Sequence, residues 1–122
     1  MNAHAADEAC VLIVDDEEDV RESVRDVVEM VGCHALLAKS AEEGLSLLAR
    51  HKPCLVVLDL LMPEMSGAEM LAAMRKSPAL RELSVLISTS APERAPRGVP
   101  LLPKPIDIDA LCGWMERLCH CG

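Results

Sequence analysis

The sequence predicts an α/β fold in which a parallel sheet is covered by helices on both faces. Short apolar runs rich in branched residues, such as residues 11–14 and 55–58, recur along the chain and indicate buried strands. Segments with helical periodicity lie between these runs. This alternation is typical of right-handed βαβ units, in which reactive side chains collect beyond the C-terminal edge of the strands.

In the first half of the chain, the strand at 11–14 precedes a helix predicted over residues 18–31, which Gly32 ends. One face of that helix is apolar and consists of Val20, Val24, Val27, Val28 and Val31. A weaker second strand is predicted over residues 33–39, and Ser40 caps the helix that follows.

In the second half, a strand ending at Asp59 precedes a third helix, in which Ala68, Leu71, Ala72 and Arg75 are predicted to share one side. A fourth strand covers 84–88. A closing helix begins at Asp107 or Asp109, and its predicted apolar stripe consists of Ile108, Leu111, Cys112, Met115, Leu118 and Cys119.

The fourth helix of the pattern is predicted to be shortened or missing. Residues 91–98 contain two prolines and precede the last strand at 99–102, and this connection is shorter than a helical crossover needs. We therefore expect Leu86, Leu101 or their neighbours to form an exposed apolar surface for a partner or a second copy. Trp114 is predicted either to point outward from the closing helix or to lie along its flank.

The composition limits the classes of function. A chain of 122 residues fits one domain, predicted over 9–122 after a flexible N-terminal segment at 1–8. A net charge of −8 disfavours nucleic acid and anionic membranes as partners. Neither a membrane-spanning stretch nor a secretion signal is visible, and the six cysteines resemble reduced, half-buried hydrophobes, so a cytoplasmic protein is expected.

Five polar residues at predicted strand ends form the candidate functional site. They are Asp15, Asp16, Asp59, Thr89 and Lys104. If the strands are neighbours, the carboxylates form a cluster of repelling like charges unless a cation or a proton neutralises it, and Mg²⁺ is the most plausible cation. A competing interpretation is that the acids after the first strand only cap the first helix.

This set of groups is suited to accepting a phosphoryl group. Asp59 would be the nucleophile, and Mg²⁺ would be held by Asp16 and Asp59, with Asp15 acting directly or through water. The Lys104 amine and the Thr89 hydroxyl would neutralise the other phosphate oxygens. Because Ser88 and Ser90 flank Thr89, the position of the hydroxyl is uncertain by one residue.

Four motifs in order resemble the receiver domain of bacterial response regulators. They are the run 11–16 ending in two aspartates, Asp59 with the loop 62–67, Thr89, and Lys104-Pro105. The resemblance implies a flavodoxin-like, doubly wound five-stranded sheet of order 2-1-3-4-5 and a cis bond before Pro105. It also implies that the Leu61 backbone carbonyl joins the Mg²⁺ ligands.

The same resemblance implies a phospho-acceptor of a two-component system or phosphorelay. A sensor histidine kinase or a histidine phosphotransfer protein would supply the phosphoryl group, and the domain would promote its own phosphorylation without being a turnover enzyme. Signalling would proceed through contacts with a downstream protein that the sequence does not identify, or through a homodimer at the face left by the reduced fourth helix.

The chain departs from the family pattern at Leu101, where an aromatic residue is usual, and it contains no Tyr or Phe. This departure favours an alternative function, a docking or dimerisation module that works without phosphorylation. An aspartyl-based phosphohydrolase is a third hypothesis. Such enzymes need a second acid two residues beyond the nucleophile, where this chain has Leu61.

Overall fold

The computed structural model describes residues 10–119, in which five parallel strands form one sheet of order β2-β1-β3-β4-β5. The strands are β1 (Cys10–Val14), β2 (His34–Ala38), β3 (Leu55–Asp59), β4 (Ser84–Thr89) and β5 (Leu101–Pro103). The helices are α1 (Glu18–Met30), α2 (Ala41–Leu48), α3 (Gly67–Lys76) and α4 (Ile108–Leu118). The predicted fold class and strand order are confirmed. The segment predicted to be flexible, residues 1–8, lies outside the described residues.

Each central strand contributes to two apolar cores because its side chains alternate between the faces of the sheet. In β3, Leu55 and Val57 pack towards α1 and α4, whereas Val56 and Leu58 pack towards α2 and α3. Burial on both faces explains the continuous apolar runs of the sequence. Within residues 10–119, no helix is long and apolar enough to cross a membrane.

The packed face of α3 differs from the predicted one. The helix buries Gly67, Met70, Leu71 and Met74, while Ala68, Ala72 and Arg75 are exposed. Of the predicted side only Leu71 is buried, because small alanine side chains do not define a face and all three alanines of this helix are exposed. The long methionine side chains fill the space against the sheet.

In α4 the stripe is shorter than predicted. Leu111, Met115 and Cys119 are buried, but Ile108 is 54% exposed. Ile106, two residues before the helix, packs against the core. The Trp114 ring is half-buried against the same core and carries the Arg117 guanidinium 5.0 Å from its centroid, so it lies along the flank of the helix.

A single 3₁₀ turn at Pro92–Arg94 stands where a fourth crossover helix was predicted to be reduced. A cleft of about 350 Å³ lies beside α3, lined in part by Leu71, Met74, Leu83 and Val99. The expectation that Leu86 is exposed was wrong, because its side chain packs on the α1 and α4 face and is fully buried. Leu101 is partly buried against the opposite core.

The cysteines also depart from expectation. Cys54 and Cys119 form a disulfide, with their Cα atoms 5.3 Å apart, and Cys33 is also disulfide-bonded, so the prediction that all six are reduced is wrong for these three. The pairing arises because the residue before β3 and the residue after α4 meet at the N-terminal edge of the sheet. Cys10 is buried, and Cys112 is a partly buried thiol.

Gly67 sets the distance between α3 and the end of β3. Its N–H donates to the Leu60 carbonyl at 3.0 Å, and a Cβ at this position would overlap with the Asp59 carbonyl oxygen. A capping box fixes the helix start, since Ser66 Oγ accepts from the Glu69 N–H and the Glu69 carboxylate accepts from the Ser66 N–H. The loop that follows Asp59 therefore lies against β3.

Gly67→Ala is expected to lower the free energy of unfolding by about 2 kcal/mol or more, because the added methyl group displaces backbone next to Asp59. Urea denaturation measures the change. Gly113→Ala is the matched control, since a Cβ there meets nothing within 4 Å and alanine favours a helix interior. Equal stability of the two variants would contradict the close approach at Gly67.

Candidate functional site at the C-terminal edge of the sheet

The fold brings all five predicted site residues to one edge of the sheet. Asp15 follows β1, Asp59 ends β3, Thr89 ends β4 and Lys104 follows β5. The side chains of Asp15, Asp59 and Thr89 are almost fully buried, whereas Asp16 is exposed. Polar groups this deeply buried in an apolar domain need partners, and the site supplies them.

The three aspartates form a compact set of oxygen donors. One carboxylate oxygen from each of Asp15, Asp16 and Asp59 lies within 4.8 Å of the others. The positions are held locally, because Asp15 Oδ1 accepts from the Glu17 N–H at 2.9 Å and Asp59 Oδ1 accepts from the Leu61 N–H at 3.2 Å. A cluster built only of hard oxygen donors fits Mg²⁺ in chemistry.

The Lys104 amine contacts two of these aspartates and also Glu17. Its Nζ lies 2.8 Å from Asp15 Oδ2, 3.6 Å from Asp59 Oδ2 and 3.2 Å from Glu17 Oε1. The Lys104-Pro105 bond is cis, and the Lys104 N–H donates to the Thr89 carbonyl at 2.8 Å. The amine therefore crosses above the end of β4 to reach the carboxylates on β1 and β3.

The electrostatics of Asp59 are unusual for an aspartate. Burial, reinforced by the neighbouring Asp15 and Asp16 charges, raises its pKa to about 7, although Lys104 and the Leu61 N–H act in the opposite direction. For Lys104, burial lowers the pKa, but its bonds to Asp15, Asp59 and Glu17 prevail and leave it above the usual value. The Lys104 amine is thus positively charged at neutral pH, whereas the Asp59 carboxyl group is close to the midpoint between its protonated and ionised forms.

Three neighbouring residues in the sequence could supply the hydroxyl group of the site, and in the structure they differ in burial and hydrogen bonding. Thr89 is fully buried, and its Oγ1 accepts from the Ala91 N–H at 3.0 Å. Ser90 is exposed. Ser88 pairs in register with Asp59, and its buried hydroxyl has no hydrogen-bond partner among residues 10–119.

Two further residues contribute to the site but were not predicted. Glu17 binds the Lys104 amine, and the Arg21 guanidinium donates to the Asp15 carbonyl at 2.7 Å. Glu17 belongs to the acidic run after β1, which could have drawn attention to it. Arg21 lies one turn into α1, where an arginine looks like an ordinary surface residue. Leu61, the remaining predicted ligand, contributes its N–H to Asp59 and is 38% exposed.

A family model for the response regulator receiver domain matches residues 11–113. An uncharacterized 14.6 kDa protein of Leptolyngbya boryana is 34% identical, with 89% of this chain and 88% of that protein aligned. The response regulator MprA of Mycobacterium sp. (strain KMS) is 33% identical over 88% of this chain. This chain spans about half, 49%, of the length of that regulator.

Solved structures show the same architecture. A response regulator receiver protein from Pseudomonas putida is 28% identical with a TM-score of 0.81, covering 90% of this chain and 97% of its own. The chemotaxis response regulator CheY4 of Vibrio cholerae is 25% identical with a TM-score of 0.80, covering 90% and 98%. With the acidic cluster, the lysine and the strand order agreeing with the family match, the chain belongs to the receiver domains of two-component response regulators.

Proposed function

We propose that Asp59 accepts a phosphoryl group from a phosphohistidine, on a sensor histidine kinase or a histidine phosphotransfer protein, in the cytoplasm. The observation that carries the proposal is the convergence of the Asp59 carboxylate, the Lys104 amine and two further carboxylates at one sheet edge. Membership of the receiver family supports the same assignment.

The transfer forms a bond between an Asp59 oxygen and phosphorus while the bond from phosphorus to the donor histidine nitrogen breaks. The product is an acyl phosphate that stays on the chain, so the protein promotes its own modification without turning over substrate. Asp16, Asp59 and the Leu61 carbonyl would hold Mg²⁺, with Asp15 direct or through water. When bound, the ion would neutralise charge on the transferred group.

The remaining negative charge of the phosphoryl group would be stabilised by side chains of the protein itself. The Lys104 amine lies 3.6 Å from Asp59 and can exchange its carboxylate partner for a phosphate oxygen. The Thr89 hydroxyl accepts from the Ala91 N–H, which leaves its own proton available to donate to a second phosphate oxygen. Both groups stand on strand ends held by the sheet, which makes their positions well defined.

Incubation with acetyl phosphate and Mg²⁺ should add one phosphoryl group, measured by intact-protein mass spectrometry, and Asp59→Asn should abolish the addition. Lys104→Ala should slow it about 100-fold, because a preorganised charge is lost. Lys52→Ala is the matched control, since Lys52 is exposed and precedes β3 at the other edge. Thr89→Ala should also slow the reaction, and Ser90→Ala should not. Modification that persists without Asp59 would refute the proposal.

Mg²⁺ binding should weaken as the pH falls, because the ion needs the ionised carboxylate and Asp59 has a pKa of about 7. Below this value protons compete with the ion, so the dissociation constant should rise about fivefold from pH 7 to 6 and about tenfold from pH 6 to 5. The rise in melting temperature with Mg²⁺ concentration measures the affinity. An affinity that stays constant between pH 8 and 6 would contradict the protonation of Asp59.

A second candidate function is phosphorylation-independent docking or dimerisation, which would also provide the route to a downstream protein. Two observations favour it: Leu101 stands where the family usually has an aromatic residue, and the reduced crossover leaves the cleft beside α3. The cleft is lined both by apolar side chains and by Arg75, Arg81 and Glu82, a mixture that is typical of protein interfaces.

If the second candidate operates through a homodimer, the sedimentation coefficient should rise with protein concentration in the micromolar range. Leu83→Glu, which places a charge in the cleft, should abolish the rise. Asp59→Asn should leave it unchanged. A strictly monomeric protein at high micromolar concentration would exclude the homodimer.

A further inference from the structure

Cysteines gather at the edge of the sheet opposite the aspartates. Cys10 begins β1, Cys33 precedes β2, Cys54 precedes β3 and Cys119 follows α4. The Cys54 N–H donates to the Cys10 carbonyl at 2.9 Å, which fixes Cys54 beside the start of β1. None of these residues takes part in the proposed phosphotransfer, and their placement requires a separate explanation.

The disulfide between Cys54 and Cys119 closes a sequence separation of 65 residues. Its Cα separation of 5.3 Å is within the normal range for disulfides, so the backbone positions suit a covalent link. A cavity of about 190 Å³ reaches Cys119, and its wall includes Cys33 and Cys112. Exposed Val31 and Glu116 stand at its rim, so a small thiol reagent has access.

The same backbone also accommodates the reduced pair. The Cys54 sulfur lies 3.2 Å from the Cys10 carbonyl oxygen, so a Cys54 thiol has a hydrogen-bond acceptor in place. Cys119 packs in the apolar core with Leu111 and Met115, where a thiol behaves as a small hydrophobe. The structure therefore provides an acceptor for the Cys54 thiol and apolar surroundings for the Cys119 thiol.

We propose that Cys54 and Cys119 are a reversible redox site, which responds to low-molecular-weight disulfides such as oxidised glutathione. The Cys119 thiolate attacks the reagent, forming a mixed disulfide and releasing one thiolate. The Cys54 thiolate then attacks the Cys119 sulfur and expels the second. Two protein thiols lose two electrons and two protons, and the reagent becomes two thiols.

Formation of the disulfide would change how the end of α4 is held against the sheet. The link fastens the end of α4 to Cys54, which directly precedes β3, the strand that ends at Asp59. Reduction leaves the last turn of α4 held only by packing and backbone hydrogen bonds. Because cytoplasmic thiols are normally reduced, closure of the link would report oxidative conditions, independently of whether Asp59 is a phospho-acceptor.

The test uses the full chain equilibrated with oxidised glutathione or with dithiothreitol. Oxidation should join Cys54 to Cys119 in peptide mapping, and dithiothreitol should break the link. Trypsin leaves Cys119 and Cys121 together on residues 118–122, so fragmentation spectra or a Cys121→Ser background must assign the bond. Reduction should lower the melting temperature by at least about 5 °C and speed amide exchange at 115–119.

In a Cys33→Ser background, which removes the other disulfide-bonded cysteine, Cys54→Ser and Cys119→Ser should each lose the redox-dependent shift in melting temperature. Cys112→Ser, the matched control in the same cavity, should keep it. A Cys54 bond to Cys121, an oxidised protein whose thiols all remain titratable, or a pair closed irreversibly would each overturn the proposal. So would stoichiometric Zn²⁺ bound to the reduced protein through these cysteines, because the pair would then be a metal site.

Discussion

The charge balance around Lys104 is the constraint on which the rest of this structure depends. Two carboxylates, on Asp15 and Asp59, are each 2% exposed and close together, and a buried pair of like charges is unstable on its own. The Lys104 amine contacts both and thereby permits their burial. Since Lys104 follows β5 and the acids stand on β1 and β3, only a long side chain crossing β4 can make the contact.

The sheet order makes that contact geometrically available. With β1 and β3 adjacent at the centre, the residues after their C-terminal ends converge, and the outer position of β5 brings the amine in from one side. Gly67 and the capped start of α3 keep the loop after Asp59 pressed against β3, so that Asp59 sits at a rigid strand end. A site made of rigid elements suits chemistry in which positioning and charge do most of the work.

Much of this arrangement could be predicted from the sequence because it depends on chain order. Apolar runs followed by Asp15, Asp59 and Thr89 indicate strand ends, and parallel strands place their ends at one edge. The faces of elements were harder to predict. Leu86 lies in a strand buried on both sides, where the pattern does not say which face a residue occupies, and Ile108 follows the helical period but is largely exposed.

Pairings over long separations were beyond sequence reasoning for a different reason. The contact between Cys54 and Cys119 depends on how far α4 runs along the sheet, which its periodicity does not reveal. Likewise, Arg21 reaches the Asp15 carbonyl only because α1 leaves the strand at a particular angle. Such contacts depend on how the helices and strands are placed relative to one another in space. The position of the aspartates at one edge of the sheet depends only on the order of these elements along the chain.

The backbone hydrogen bond from Lys104 to Thr89 has a consequence for how this domain could change shape. It joins the backbones of the two residues whose side chains flank Asp59 from the β4 and β5 side. A sideways displacement at the end of one of these strands would therefore displace the end of the other. Because Lys104 leads through residues 105–107 into α4, the same main-chain connection extends from Thr89 to that helix. Since the chain contains neither Tyr nor Phe, this backbone hydrogen bond joins the ends of β4 and β5 without an aromatic side chain.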